Sequence, residues 1–213
     1  MPYFVRDEET LDRAGLARLQ RRKLTALLTE ILPTNAFYRT KFDGISFDPK
    51  ADPITRLPLT TRAEIQQDQA DNPPCGTLPT YPLSRYNRQH QTSGSGGSPL
   101  RWLDDDRSWS WWKRCWGIIY RAAGVTAEDR LFFPFSFGPF IGFWASFDAA
   151  ISLGNMSLPA GGMSTRARLR YLLENRATVV CCTPTYALRM AEVAKEADLD
   201  LAGSDVRSLI VAG

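Results

Sequence analysis

The sequence predicts an α/β protein, with a largely parallel sheet flanked by helices and a helical N-terminal segment ahead of it. Three observations predict this. From Gly124 onward, short β-prone runs alternate with helix-period segments. Residues 9–32 carry apolar side chains at helical spacing and end at Pro33. Near Ser84 the texture changes to strand, glycine-rich loop, strand. The expected organisation is therefore a helical segment over 1–83 packing on the main domain, and an α/β unit over 84–213.

Taken in order, Leu16, Leu19, Leu24, Leu27, Leu28 and Ile31 give the first helix one apolar face. Asn35 to Phe42 is a short aromatic segment closed by Asp43-Gly44. Thr61 and Glu64 have capping-box spacing, so a helix starts there and runs to about Asp71, where Asn72-Pro73-Pro74 stops it. Arg85 to Gln91 and Leu100 to Leu103 read as strands around the glycine loop. Asp104, Asp105 and Asp106 open a helix whose positive end favours acidic residues. On it Trp109, Trp112, Trp116, Ile119 and Ala123 form a stripe at helical spacing, which predicts core, and Gly124 suits the position just past its end. Strands over Arg130 to Pro134, Asn155 to Leu158, Thr178 to Cys182 and Arg207 to Val211 then alternate with helices. Those helices are expected over Phe140 to Leu153, over Ser164 to Glu174 and from Thr183-Pro184 onward. A parallel sheet needs both faces covered, so a chain stopping just after its last strand reads as part of something larger.

Composition narrows the class. The 213 residues are 44% hydrophobic and 23% charged, which suits a folded globular chain. The 26 basic against 23 acidic residues give a net charge of +3 without a basic stripe, so nucleic acid is not the expected partner. Met1 to Thr10 carries Arg6, Asp7, Glu8 and Glu9 and lacks the apolar run of a signal peptide. Leu131 to Leu153 is long enough to span a bilayer but is broken by Pro134, Gly138, Pro139 and Asp148, so no membrane span is expected. Cys75, Cys115, Cys181 and Cys182 form no Cys-x-x-Cys pair, and His90 is the only histidine. Neither a disulfide framework nor a zinc site is expected, and a reducing cytoplasm follows. Cys181 and Cys182 should point to opposite faces of their strand.

The segment that carries chemistry is Thr92-Ser93-Gly94-Ser95-Gly96-Gly97-Ser98-Pro99. Small residues let backbone N–H groups converge on an anion, and hydroxyls add donors, which suits a polyphosphate. No Gly-Lys-Ser/Thr follows, so it is not a Walker A loop, and Pro99 stands where a dinucleotide fingerprint has its third glycine. A flexible Gly/Ser linker is the plain alternative.

His90 to Pro99 resembles the ATP phosphate loop of adenylate-forming (AMP-binding) enzymes, in the version found in phenylacetate–CoA ligases. Other pieces fall in the same order: Phe37 to Phe42, Leu57 to Arg62, Arg121 to Val125, Phe135 to Phe140, Pro159 to Gly162, and Thr183-Pro184-Thr185-Tyr186. The family loop usually has Thr where this chain has Gly96, and Lys where it has Ser98. Family members also continue well past Gly213.

The resemblance implies a ligase that uses ATP, Mg2+ and coenzyme A. A carboxylate attacks the α-phosphate, giving an acyl-adenylate and pyrophosphate, and the coenzyme A thiol then displaces AMP. It implies ATP phosphate contacts from Thr92, Ser93, Gly94, Ser95, Gly96, Gly97 and Ser98. It also implies a pocket for a small carboxylic acid, aryl acids favoured, lined by Phe135, Ser136, Phe137, Gly138 and Phe140; plain core is the other reading of those residues. His90 is either an orienting hydrogen-bond donor or a structural strand residue. Arg166, Arg168, Arg170 and Arg176 read as a solvated helix face. The 213 residues alone are expected to lack complete turnover. A different acyl acceptor, a non-catalytic nucleotide-binding module and a homodimer are all compatible with the sequence.

Overall fold

The computed structural model describes residues 3–94 and 97–212. They form two compact units, Val5–Arg107 on one side and Ser108–Gly213 with Met1–Phe4 on the other. The change of texture near Ser84 lies ahead of this division, and the hairpin that carries the glycine loop groups with the helices before it.

In the unit Val5–Arg107 the helices are α1 (Arg6–Glu9), α2 (Arg13–Ile31), α3 (Ala36–Lys41) and α4 (Arg62–Asp71), and the hairpin strands are β1 (Arg88–Gln91) and β2 (Arg101–Asp104). The helical run expected over 9–32 is split. Asp12 caps α2 by accepting the Gly15 N–H at 2.6 Å, which fixes the start at Arg13. Its apolar face is also narrower than the pattern suggests: Leu19 and Leu28 are buried, while Leu16 and Leu27 are exposed. Asn35 caps α3 by accepting from Tyr38 N–H at 2.9 Å, which turns the aromatic segment into a helix. The capping box of α4 is formed. Thr61 Oγ1 accepts from Glu64 N–H at 3.3 Å, and the Glu64 carboxylate accepts from Thr61 N–H at 2.6 Å.

Strands β1 and β2 are antiparallel, with His90 opposite Trp102 and Gln91 opposite Arg101. Gln69 on α4 anchors them. Its side-chain amide donates to Arg101 O at 2.8 Å and accepts from Arg101 N–H at 3.0 Å.

The elements that follow are α5 (Asp106–Ala122), β3 (Arg130–Phe133), α6 (Trp144–Ser152), β4 (Met156–Pro159), α7 (Thr165–Glu174), β5 (Val179–Cys182), α8 (Pro184–Glu196) and β6 (Ser208–Val211). The four strands are all parallel, in the order β4-β3-β5-β6. Alternation along them separates two cores. Leu131, Phe133, Val179, Cys181 and Ile210 face Tyr120, Phe143, Ala149 and Ala150 from α5, α6 and the segment before α6. Phe132, Val180, Cys182 and Leu158 face Leu169, Leu172, Met190 and Val193 from α7 and α8. Helices thus cover both faces, as a parallel sheet requires. Cys181 and Cys182 fall in opposite cores.

The tryptophan stripe is corrected in part. Trp109 is buried, Trp116 packs against the core, and Gly117 and Tyr120 complete the inward face, but Trp112 and Ile119 are each 42% exposed. The Trp109 indole N–H donates to Asp148 at 2.7 Å. No helix among the described residues is long and apolar enough to cross a membrane. The stretch 131–153 is β3, an irregular connection and the nine-residue α6.

The N-terminal rim of the sheet is tied by one carboxylate. Asp129, just before β3, accepts from Thr126 N–H at 2.7 Å, from Thr178 Oγ1 at 2.7 Å and from Arg207 Nε at 3.0 Å. Asn155, just before β4, donates to the carbonyls of Thr126 and Asp129. Burial alone would raise the Asp129 pKa; the hydrogen bonds from Arg207, Thr126 and Thr178 outweigh it and hold the carboxyl well below its usual range. With one rim closed in this way, the opposite rim is where a ligand can enter.

Candidate functional site

The glycine loop spans the tip of the β1–β2 hairpin. Thr92 closes its base: its N–H donates to Leu100 O at 3.0 Å, and its hydroxyl accepts from Leu100 N–H at 3.0 Å. That hydroxyl keeps its own proton for another acceptor. Gly94 has φ +74° and Gly97 φ +123°. Gly97 N–H donates to Gly94 O at 3.0 Å, making a tight turn. A Cβ on Gly94 would lie 2.9 Å from Pro99 Cγ and 3.0 Å from Gly97 O, so both space and backbone require glycine there. Ser93, Gly97 and Ser98 are exposed. Gln66 of α4 donates to Ser98 O at 3.0 Å. Ser95 and Gly96 lie outside the described residues.

His90 is buried on β1, with its Nδ1 3.9 Å from the carboxylate of the buried Asp104. Burial lowers the imidazole pKa, Asp104 opposes the shift, and Arg88 adds to it. The net lowering favours a neutral ring at pH 7, available as a donor or an acceptor.

A cleft of about 480 Å³ opens at the C-terminal rim of the parallel sheet, bounded by the ends of β3, β5 and β6. Its apolar side is Trp116, Pro134, Phe135, Gly142 and Phe143. The Phe135 ring centroid lies 5.5 Å from that of Phe143, and Trp116 lies 6.0 Å from Phe143. Its more polar side is Ser136, Arg168, Cys182, Thr183 and Tyr186. Thr183 caps α8 by accepting from Tyr186 N–H at 3.2 Å, which brings the helix start to the mouth. Burial pushes the Cys182 thiol up to about 11, so it stays protonated and inert as a nucleophile at neutral pH.

Of the five residues expected to line an acid pocket, Phe135 and Ser136 border this cleft. Phe137 is outside the lining, its ring centroid 4.3 Å from Phe135, 4.7 Å from Trp144 and 4.9 Å from Phe147. Gly138 accepts the Trp144 indole N–H at 3.0 Å, and Phe140 is 47% exposed and outside the lining. The backbone turns twice after β3, through Phe135 N–H to Phe133 O and Gly138 N–H to Ser136 O. Trp116, Phe143, Arg168 and Tyr186 have no pocket role in the sequence pattern. The signal for Tyr186 is its place in the first turn of the helix that follows a buried strand.

The arginine reading is also corrected. Arg166 and Arg170 are exposed, but Arg168 is only 9% exposed, and Arg176 lies past the end of α7. Arg168 Nε donates to Ala160 O at 2.8 Å and Nη1 donates to Tyr186 Oη at 2.8 Å.

The fold is that of the adenylate-forming CoA ligases. It matches a crystal structure of 2-hydroxyisobutyryl-CoA ligase in complex with 2-HIB-AMP and CoA at TM-score 0.92 with 22% identity, over 100% of this chain and 46% of that one. In sequence the chain is similar to phenylacetate–CoA ligases. It is 28% identical over 193 residues to the phenylacetate-coenzyme A ligase of Thermus thermophilus, covering 86% of this chain and 41% of that protein. It is 26% identical over 188 residues to the enzyme of the same name from Escherichia coli, covering 86% of this chain and 42% of that protein. The chain thus spans about two fifths of the length of the curated relatives it matches. No family model matches it.

Proposed function

We propose that these residues form the acid- and ATP-phosphate-binding part of an AMP-forming carboxylate–CoA ligase. The observation that carries the reading is the glycine loop. At Gly94 a φ of +74° and the closeness of Pro99 and Gly97 O require glycine, and the tight turn this permits suits N–H groups converging on an anion.

The chemistry asks little of side-chain bases. The substrate carboxylate is ionised at pH 7. One of its oxygens forms a bond to the α-phosphorus as the bond to pyrophosphate breaks. The thiol of coenzyme A then adds to the acyl carbonyl, and AMP departs with the electron pair of the cleaved acyl–oxygen bond. What the protein supplies is placement and charge stabilisation. In this reading the N–H groups of the loop, with the hydroxyls of Thr92, Ser93 and Ser98, hold the phosphate oxygens, and Ser95 and Gly96 share that task. Mg2+ accompanies the ATP and offsets its charge. The neutral His90 orients the strand entering the loop. Phe135, Phe143 and Trp116 offer ring faces and edges to a flat apolar acid.

Isothermal titration of the chain with Mg-ATP and with a panel of aryl acids tests this. Saturable binding of both is expected, and any nucleotide turnover should yield AMP and pyrophosphate. Binding of neither ligand, or ADP as the product, would overturn it.

A further inference from the structure

Among the described residues Arg168 is the one cation that borders the cleft. Of its five N–H donors, Nε is committed to Ala160 O and one on Nη1 to Tyr186 Oη. Its guanidinium carbon lies 5.2 Å from the centroid of the Tyr186 ring, whose hydroxyl is also 3.1 Å from Thr165 Oγ1. These contacts fix the guanidinium between the loop after β4 and the first turn of α8. Among the described residues no carboxylate pairs with it, and three of its donors have no protein acceptor. A buried guanidinium without a counter-charge is unfavourable, and the deficit is removed when a bound ligand brings an oxygen acceptor. The rest of the cleft selects the other end of that ligand, because Trp116, Phe135 and Phe143 form an apolar wall.

The acceptor is not the reacting carboxylate. A bidentate guanidinium pair would stabilise that group in the ground state and weaken it as a nucleophile, which opposes catalysis. We propose that Arg168 determines substrate specificity: the acid carries a second oxygen-bearing group, a phenolic hydroxyl or a second carboxylate, which the guanidinium binds. The proposal rests on the reading of this cleft as the acid site.

The test is isothermal titration of the whole chain with phenylacetate, the three hydroxyphenylacetates and 4-carboxyphenylacetate. At least one substituted acid should bind the wild-type protein about tenfold or more tightly than phenylacetate, as expected for a charge-assisted hydrogen bond. In Arg168→Gln that ratio should fall to near one, and Arg168→Lys should restore part of it. Thermal melting of each variant reports folding separately. A ratio that survives in Arg168→Gln overturns the proposal and leaves Arg168 as a packing residue. A wild-type ratio near one, with phenylacetate still bound, overturns the proposal alone. Failure of every acid to bind the wild-type chain overturns it together with the acid-site reading.

Discussion

Replacing Gly94 by alanine separates a phosphate-holding loop from a linker. The change has two costs. A residue with a side chain at φ +74° sits in the left-handed region, which costs about 1–2 kcal/mol. The new Cβ would also stand 2.9 Å from Pro99 Cγ and 3.0 Å from Gly97 O, the second a backbone atom that cannot swing aside. Overpacking of that kind adds roughly 1–3 kcal/mol if the loop keeps its shape. Gly44 is the internal control, because it has φ +70° but nothing within 4 Å of its would-be Cβ. Gly44→Ala should therefore lose only about 1–2 kcal/mol in urea unfolding and leave ATP binding unchanged. A hairpin tip can escape a clash by opening locally. Gly94→Ala is then expected to lose ATP affinity by at least about tenfold, even where its unfolding free energy resembles that of the control. The assays are calorimetric ATP titration and urea denaturation of both variants. If Gly94→Ala binds ATP as the wild type does and unfolds with Gly44→Ala, the loop holds no phosphate and the reasoning fails.

The other expectations concern the sheet and the cleft. Asp129→Asn should destabilise the chain by about 2–4 kcal/mol, because the buried carboxylate joins the starts of β3, β5 and β6. Its folded pKa is depressed, so its contribution is complete above the ordinary carboxylate range and is lost as pH falls through the folded value. The wild-type advantage over Asp129→Asn should be full at pH 6 and shrink below about pH 4; an advantage independent of pH from 7 to 2 would contradict this. Phe135→Ala should weaken phenylacetate binding by about 1–2 kcal/mol, the burial of one ring face. Phe137→Ala should instead cost about 2–4 kcal/mol of stability, since its ring packs on Trp144 and Phe147; calorimetric titration and thermal melting separate the pair, and the reverse pattern would move the cleft wall to Phe137. Burial pushes the thiols of Cys181 and Cys182 up to about 12 and about 11, so maleimide at pH 7.5 should label the half-buried Cys115 first, and fast labelling of Cys182 in the folded chain would contradict the packing.

Much of the architecture was legible because it follows from periodicity. A pattern of two assigns Val179 and Cys181 to one core and Val180 and Cys182 to the other, and the structure keeps that assignment. The capping box at Thr61 set the start of α4 because its hydrogen bonds are local. What failed lies where local pattern is silent. The stripe on α5 has the right period but the wrong arc: the buried face runs through Trp109, Gly117 and Tyr120, with the Phe4 ring 2.8 Å from where a Gly117 Cβ would stand, and Trp112 and Ile119 are exposed. Which of Phe135 and Phe137 borders the cleft was not legible, because two tight turns follow β3 and no strand periodicity runs through them. The burial of Arg168 had a signal that charge obscured, since Thr165, Arg168 and Leu172 share one helix face at spacings of three and four.

The pairing of Gln69 with Arg101 has a consequence for solubility. In an antiparallel pair, alternate residues of an outer strand aim their N–H and C=O away from the partner. Such a row is a template on which another chain can add itself. The carboxamide of Gln69 occupies both groups of Arg101 at once, in the geometry a neighbouring peptide would use. One side chain thus pairs at this residue as a neighbouring strand would. It denies the Arg101 position of the hairpin's outer edge to intermolecular sheet growth.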